Sequence, residues 1–316
     1  MNPADMNHLN ASPEGWNITS VERDTGISKD TLRMWERRYS FPRPMRDAIG
    51  ERLYPIEQVE KLRVIKRLID LSFRPGKIIG LDISALRDLA SKSNAGASEP
   101  LHSGALTAEY MAMIRTHQIE PFRRGLAEHI AKFGIAKTVK EVIAPLTVEI
   151  GMAWQAGELE IFEEHLFTES VQVVLRNAIN TVPRQTKHPR VLLTTFPQEP
   201  HGLGLLMAES IFALEGCATL SLGVQTPMWD IVQAATRQKV DIVTLSFSVA
   251  MNRQQVQDGL RELRHQLQPS IEIWAGGGST ALSRRVADGV LCTQSLDDIV
   301  REVKRWRLLH GQTMQA

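Results

Sequence analysis

The six residues Glu199-Pro200-His201-Gly202-Leu203-Gly204 follow directly after the apolar run Val191–Phe196. This order predicts a buried strand that delivers one histidine to the edge of a sheet, with glycines that open the next helix. An imidazole there can coordinate a metal held by a bulky cofactor, because Gly202 and Gly204 let such a group approach the backbone. Glu199 can accept the other ring proton of His201 and fix its tautomer. The segment therefore predicts a metal-ligating histidine with a carboxylate partner.

The C-terminal part of the chain alternates between apolar strands and helical stretches. The predicted strands are Val191–Phe196, Ala218–Leu222, Ile242–Phe247, Ile271–Trp274 and Gly289–Cys292. The predicted helices are Leu203–Leu214, Met228–Gln238, Arg253–Leu267, Leu282–Val286 and Leu296–Leu309. Short connections between them predict an α/β doubly wound, flavodoxin-like sheet over residues 188–311, covered by helices on both faces.

Ligands of such sheets bind outside the carboxyl ends of the strands. Those ends carry His201, Gly223, Ser246, Ser248 and the run Gly276-Gly277-Gly278. A nicotinamide-binding fold would need its glycine fingerprint after the first strand, whereas the triple glycine follows the fourth. This placement argues against a dinucleotide-dependent enzyme.

The middle of the chain has helical periodicity. Residues 81–104 predict one more helix, Leu81–Ser91, and a polar linker. Residues 105–183 then predict a four-helix bundle made of Ala108–His117, Pro121–Phe133, Ile135–Trp154 and Glu160–Thr181. Gly157 separates the last two helices, so Trp154 is expected near a helix end that faces the start of the next helix.

The N-terminal segment predicts two short helices joined around a glycine. Thr19-Ser20-Val21-Glu22 has the form of a capping box before a helix that stops at Gly26. Ser28 can cap a second, basic helix over Lys29–Tyr39. Such a helix-turn-helix can place its second helix in a major groove. Phe41-Pro42-Arg43-Pro44 then breaks the helix, Arg46–Tyr54 predicts a small wing, and Ile56–Leu71 predicts a third helix.

Composition narrows the class of protein. The chain has 316 residues and a formal net charge of +1. The segment from Lys29 to Lys77, however, contains thirteen Lys and Arg and only seven Asp and Glu. This local excess of positive charge suits an anionic partner. With two cysteines, a disulfide scaffold and a cysteine-cluster zinc site are excluded. The lack of a long apolar run or a signal-peptide core predicts a cytoplasmic protein without membrane segments.

The stretch Ile27–Tyr39, followed by the proline break and Arg52-Leu53-Tyr54, resembles the recognition helix and wing of the MerR family of transcription regulators. The resemblance covers residues 16–80 and implies a winged helix-turn-helix that binds double-stranded DNA. It further implies that seven residues contact DNA: Arg33, Trp35, Arg37 and Arg38 on the helix, and Arg46, Arg52 and Tyr54 on the wing. Arginine suits this role because its planar fork can bind phosphate or guanine through two nitrogens.

The segment at 199–204, together with Gly223-Val224-Gln225-Thr226-Pro227, Ser246-Phe247-Ser248 and Gly276-Gly277-Gly278, resembles cobalamin-binding domains. In that family a histidine displaces the cofactor's own benzimidazole from cobalt, and the nucleotide tail enters a cleft walled by small residues. The resemblance implies that His201 is the lower axial ligand and Glu199 its partner. Ser246, Ser248 and Gly276–Gly278 would line the tail cleft.

Trp154 is followed, after nine residues, by Glu164-His165. This spacing resembles the helical cap of CarH- and LitR-type regulators, which join a MerR-like head to a cobalamin domain. The resemblance implies that Trp154 shelters the upper face of the corrin and that Glu164 and His165 lie beside the upper ligand. The implied cofactor is adenosylcobalamin, the implied action is repression without enzymatic activity, and the implied assembly is a homo-oligomer, dimer or tetramer.

One position departs from the pattern of the photoreceptor members. They carry a histidine directly after the cap tryptophan, which takes the upper position on cobalt after light has broken the cobalt–carbon bond. Here that residue is Gln155, and glutamine is a poor cobalt ligand. A repressor whose oligomer state and operator binding change with light is therefore one of three functions that the sequence allows. The others are a MerR-type regulator that responds to another ligand or partner protein, and a corrinoid-carrier module of a methyltransferase.

Overall fold

The computed structural model describes residues 15–47, 50–70, 73–94, 104–183, 188–283 and 288–310. The linker predicted up to Gly104 and the end of the helix predicted at Leu282–Val286 fall largely outside these ranges. The chain folds as two compact units: residues up to Ala97 together with Gln155–Gly157, and Ser98–Trp154 together with Glu158–Ala316. The first holds the N-terminal head, and the second holds the bundle and the large sheet.

The head is a winged helix-turn-helix. Its elements are β1 (Trp16–Asn17), α1 (Ile18–Thr25), α2 (Lys29–Tyr39), β2 (Met45–Arg46), β3 (Arg52–Tyr54), α3 (Ile56–Asp70), α4 (Pro75–Ile78) and α5 (Ile83–Asn94). The three strands pair antiparallel in the order β1-β3-β2. Ser28 caps α2 as expected, but α1 is capped by Asn17, whose side chain accepts the amide of Ser20, and so begins before the predicted Thr19 box.

The middle of the chain forms the predicted helical bundle. Its helices are α6 (Ala105–Arg115), α7 (Ile119–Phe133), α8 (Ile135–Thr138), α9 (Ala144–Ala156) and α10 (Ile161–Thr181). A π-helical turn over Val139–Ile143 joins α8 to α9 without a break. The turn ends two residues before Pro145, which lacks the amide that an α-helix would need there and crowds the preceding turn.

The C-terminal part is a five-stranded parallel sheet. It contains β4 (Arg190–Thr194), α11 (Leu203–Leu214), β5 (Ala218–Gly223), α12 (Met228–Arg237), β6 (Ile242–Phe247), α13 (Arg253–Gln266), β7 (Glu272–Gly277), β8 (Val290–Thr293) and α14 (Leu296–His310). A 3₁₀ turn at Thr280–Ser283 stands where the sequence predicted the start of a helix.

The strand order is β5-β4-β6-β7-β8, the doubly wound order of the flavodoxin type. Helices α11 and α14 cover one face of the sheet and α12 and α13 the other. The order reverses beside β4, so the chain leaves β4 and β6 toward opposite faces. The crevice for a ligand is therefore expected where β4 and β6 end.

The bundle and the sheet share apolar core. Leu203, Leu206 and Met207 of α11 belong to the same buried cluster as the inner faces of α6, α7, α9 and α10. Lys140, in the π-helical turn, forms an ion pair with Asp297 in the first turn of α14. The helix that begins just after His201 is thus packed on both sides, against the sheet and against the bundle.

Candidate functional site

His201 and Glu199 form a hydrogen-bonded pair in the loop after β4. The Nδ1 atom of His201 lies 2.6 Å from Oε1 of Glu199, and the same oxygen accepts the backbone amide of His201 at 3.0 Å. Glu199 is fully buried, whereas the His201 side chain is 55% exposed. Because Nδ1 faces the carboxylate, Nε2 is the ring nitrogen placed for coordination.

Glu199 also ties this loop to the end of β6. Its Oε2 atom accepts the backbone amide of Ser248 at 2.7 Å. Burial alone would raise the pKa of Glu199, but the hydrogen bonds from His201 and Ser248 outweigh burial and hold that pKa below its ordinary value. The carboxyl group is therefore ionised at neutral pH, and this contribution to stability is lost as the pH falls through the lowered pKa.

Two threonines that sequence reasoning did not single out hold the loops around His201. The hydroxyl of Thr195 donates to the carbonyl of Glu199 at 2.6 Å and accepts the amide of Gln225 at 2.8 Å. The Thr194 hydroxyl bonds to Thr226 at 2.7 Å. The sequence did contain a sign of this role: Thr194 and Thr195 stand together at the end of an apolar strand. Hydroxyl groups buried at such a place need hydrogen-bond partners.

The small residues named from the sequence lie along one edge of the sheet. Gly223 ends β5, Ser246 is the penultimate residue of β6, and Gly276 and Gly277 end β7. Gly204 is glycine because of packing, since a Cβ atom there would lie 2.7 Å from the Ser246 hydroxyl. At Gly277, where φ is +109°, a Cβ atom would lie 2.2 Å from the carbonyl oxygen of Phe247. These glycines thus bring neighbouring elements together, and their contact with a cofactor tail stays a prediction.

The cap residues lie at the corner between α9 and α10. Trp154 is partly buried against the bundle core, which also contains the first turns of α11. In α10, Oε2 of Glu164 lies 2.7 Å from Nδ1 of His165, and Oε1 accepts the hydroxyl of Thr168 at 2.8 Å. His165 is largely exposed. Glu164 thus orients His165 as Glu199 orients His201.

This site fits a cofactor that brings its own metal. No group of three His, Cys, Asp or Glu side chains able to hold a metal ion occurs in the described ranges. A metal inside a macrocycle needs little more than one axial ligand from the protein, and His201 with its fixed tautomer can be that ligand. The buried Ser248 hydroxyl has no hydrogen-bond partner within the described residues, which leaves it available to a polar group of a ligand.

The head presents the expected basic face. Arg33, Arg37, Arg38 and Arg46 are exposed. Arg46 is held on the wing, because its Nη1 atom donates to the carbonyl of Gly50 at 2.6 Å. Arg52, also on the wing, is half-buried and its Nε atom donates to Glu36 at 2.9 Å. These arginines line the second helix and the wing as a reader of duplex DNA requires.

Two predicted DNA contacts are wrong. Trp35 is 2% exposed and Tyr54 is fully buried, and both pack in the apolar core of the head. In α2, Trp35 lies three residues after the buried Leu32, on the face opposite Arg33 and Arg37. Their bulk supports the DNA-binding face from below rather than forming part of it.

Sequence reasoning missed Arg43, which it treated only as part of a helix break. The exposed Arg43 is fixed through its backbone, whose amide donates to Oε1 of Gln58 at 2.6 Å and whose carbonyl accepts from Nε2 at 3.0 Å. Its own Nε atom donates to the carbonyl of Ser40 at 2.9 Å. A cation held this rigidly between recognition helix and wing suits a phosphate contact. Its position between two prolines was the available signal.

No helix among the described residues is long and apolar enough to span a membrane.

Three stretches of the chain match family models. Residues 16–82 match the MerR HTH family regulatory protein, residues 189–304 match the B12 binding domain, and residues 109–178 match a second B12 binding domain.

Two transcriptional repressors are similar to this chain over most of their length. The chain is 29% identical over 266 residues to the HTH-type transcriptional repressor CarH of Myxococcus xanthus, covering 83% of this chain and 89% of that protein. It is 28% identical over 231 residues to the repressor CarA of the same organism, covering 73% and 75%.

Among solved structures, the monomethylamine corrinoid protein of Methanosarcina barkeri shares the fold, with a TM-score of 0.50 and 14% identity over 61% of this chain and 94% of that chain. The matches confirm the resemblance and the fold class expected from the sequence. The chain therefore joins a MerR-type helix-turn-helix domain to B12-binding domains and is homologous to the transcriptional repressors CarH and CarA.

Proposed function

We propose that this protein is a transcriptional repressor whose grip on operator DNA depends on cobalamin bound between His201 and the helical bundle. The observation that carries the proposal is the Glu199–His201 pair, with its fixed tautomer and an exposed ring at the carboxyl edge of the sheet. The same chain contains a basic winged helix-turn-helix, whose binding to DNA the cofactor can regulate.

The residues divide the work of holding the cofactor. His201 would coordinate the cobalt, Glu199 would orient the imidazole of His201, and Trp154 would cover the cofactor from the side of the bundle. Ser246, Ser248, Gly223 and Gly276–Gly278 form the cleft for the nucleotide tail. When bound, adenosylcobalamin supplies a cobalt–carbon bond that visible light can break, which is the chemistry that a light-responsive repressor needs.

The switch acts through the bundle. Its core is continuous with α11, so a group gripped between Trp154 and His201 stabilises one arrangement of bundle and sheet. That arrangement favours a dimer or tetramer, in which several heads on one duplex bind far more tightly than one head does. Loss of the contact between Trp154 and the bound group would remove this stabilisation and loosen the assembly.

The test is the visible spectrum of the purified protein with adenosylcobalamin, in the dark and after green light. We expect a histidine-on-cobalt spectrum that the His201→Ala variant does not give, and a lasting change on illumination. A spectrum that is identical with and without His201 would remove this residue from the role.

One observation favours a second function. Gln155 cannot supply the second histidine of the light-locked state, so the protein is alternatively a sensor of cobalamin level. In that case the dark spectrum still shows His201 on cobalt, but illumination leaves no lasting product. Failure to bind cobalamin at all would leave a MerR-type regulator of another ligand.

A further inference from the structure

The recognition helix of the head carries an acidic residue beside its exposed arginines. Glu36 lies on α2 between Arg33 and Arg37, and its Oε2 atom accepts a hydrogen bond from Nε of Arg52 at 2.9 Å. Both side chains are about a quarter exposed, 28% for Glu36 and 29% for Arg52. A carboxylate so placed should repel DNA phosphates, which raises the question of what it contributes.

The register of the wing gives a first reason. Arg46 on β2 and Arg52 on β3 are directly opposite each other, so both side chains point to the same face. Like charges in that position repel and destabilise the strand pair. The carboxylate of Glu36 lies across from this pair and offsets one of the two positive charges.

The hydrogen bond gives a second reason. Glu36 engages Nε of Arg52, and no other hydrogen bond of the Arg52 guanidinium occurs within the residues that the structure describes. The two Nη groups therefore remain available as a fork, the arrangement in which arginine binds a phosphate through two parallel bonds.

The residues beside the ion pair belong to the apolar core of the head. Trp35, next to Glu36, and Tyr54, two residues after Arg52, pack in one buried cluster. The Tyr54 hydroxyl is buried without a partner in the described part of the chain, and its pKa is raised by burial and by the Glu36 carboxylate, while Arg52 and Arg33 oppose the shift. Tyr54 follows Arg52 by two residues on β3 and so shares its face of the strand, and the ion pair of Arg52 with Glu36 joins the recognition helix to the wing.

We infer that Glu36 is a positioning residue for DNA binding: it holds the Arg52 guanidinium by Nε so that both Nη groups face a backbone phosphate. Glu36 does not contact DNA itself. It fixes the angle between the recognition helix and the wing and aims the cation that the wing carries.

The test compares two carboxylates of the same helix. Asp30 is 93% exposed and pairs only weakly with Arg33 at 3.3 Å, so Asp30→Asn removes one negative charge without touching the wing. The probe is a fluorescein-labelled DNA duplex of random sequence, titrated with the full-length protein at several salt concentrations. We expect D30N to bind as tightly as the parent or more tightly, because repulsion of phosphates is reduced.

Glu36→Gln removes the same charge but is expected to weaken binding roughly three- to tenfold, the loss corresponding to one ordinary hydrogen bond. Arg52→Ala should weaken binding further and reduce the salt dependence by about one phosphate contact. In the Arg52→Ala background, E36Q should have no additional weakening effect, since its target is gone.

The inference is overturned if E36Q binds DNA as tightly as D30N does, or if E36Q weakens binding equally with and without Arg52. Melting curves of each variant separate a loss of folding from a loss of binding. Arg52→Lys gives an independent check, because it keeps the charge but not the fork. Parent-like binding by R52K also overturns the inference.

Discussion

At the scale of single residues, the pair Glu199–His201 decides what the sheet can hold. Both residues could be predicted from the sequence because they stand at a strand end beside glycines. Their hydrogen bond could be predicted too, because they are two residues apart in the same loop. It did not find that Glu199 also accepts the Ser248 amide, because that contact joins strands far apart in the sequence. One carboxylate thus fixes the histidine and the neighbouring loop together.

We expect Glu199→Gln to weaken cobalamin binding roughly 10- to 100-fold, the usual cost of removing the group that orients a metal-ligating histidine. Asp241→Asn is the matched control. Asp241 likewise accepts from a histidine, His188, and from a backbone amide, that of Arg190, both at 2.6 Å, but at the opposite edge of the sheet. Titration of both variants with cobalamin checks the prediction, and equal losses of affinity would show only a general effect on folding.

The errors at this scale have a common origin. Trp35 and Tyr54 were assigned to DNA by resemblance, although Leu32, Trp35 and Tyr39 repeat at the spacing of a buried helix face. Arg33 and Arg37 occupy the other face and are exposed, and their contact with DNA stays a prediction. Periodicity separates the two faces of a helix, whereas a motif match alone does not.

At the scale of elements, the sequence predicted the sheet well because each strand is a short apolar run ended by glycine or polar residues. The π-helical turn at Val139–Ile143 was not predicted. Proline inside a helix signals a local irregularity, but whether the helix ends, kinks or widens depends on tertiary packing. Here the packing of α8 and α9 on one continuous core keeps the helix going through Pro145.

The close approach of β7 to β6 gives a prediction about Gly277. We expect Gly277→Ala to destabilise the protein by about 3 kcal/mol or more, because a Cβ atom there meets the Phe247 carbonyl at 2.2 Å and φ is +109°. Gly223→Ala is the control, since φ is +78° there but the space around its Cβ position is open. Its cost should be only about 1 kcal/mol. Urea unfolding of both variants measures the difference, and equal costs would contradict the close approach.

At the scale of the whole molecule, bundle and sheet are joined through α11, and this joint contains a partly buried carboxyl group, that of Glu209. Burial raises the pKa of Glu209, and the positive charge of Arg176 on α10 only partly opposes the shift. A carboxyl group with a raised pKa favours folding while protonated, so stability falls as the pH rises from about its ordinary value through the raised one.

Glu209→Gln should therefore be more stable than the parent at neutral pH, with the advantage shrinking as the pH is lowered. Melting temperatures across an acid-to-neutral pH series measure this. Glu169→Gln, at an exposed position of α10, is the control and should follow the parent at every pH. If E209Q has the same pH profile of stability as the parent, the pKa of Glu209 is not raised in the folded protein.

The proposed coupling between the head and the cofactor site must obey thermodynamic reciprocity. If bound cobalamin strengthens DNA binding by some factor, then DNA must strengthen cobalamin binding by the same factor. We expect a factor of roughly 5 to 150 in the dark, measured in both directions with a duplex that the protein has selected from a random pool. His201→Ala should bring both factors to one while leaving cofactor-free DNA binding intact. Arg37→Ala should weaken DNA binding without changing the affinity for cobalamin alone. Unequal factors, or coupling that survives without His201, would mean that the head responds to something other than the ligand at the sheet edge.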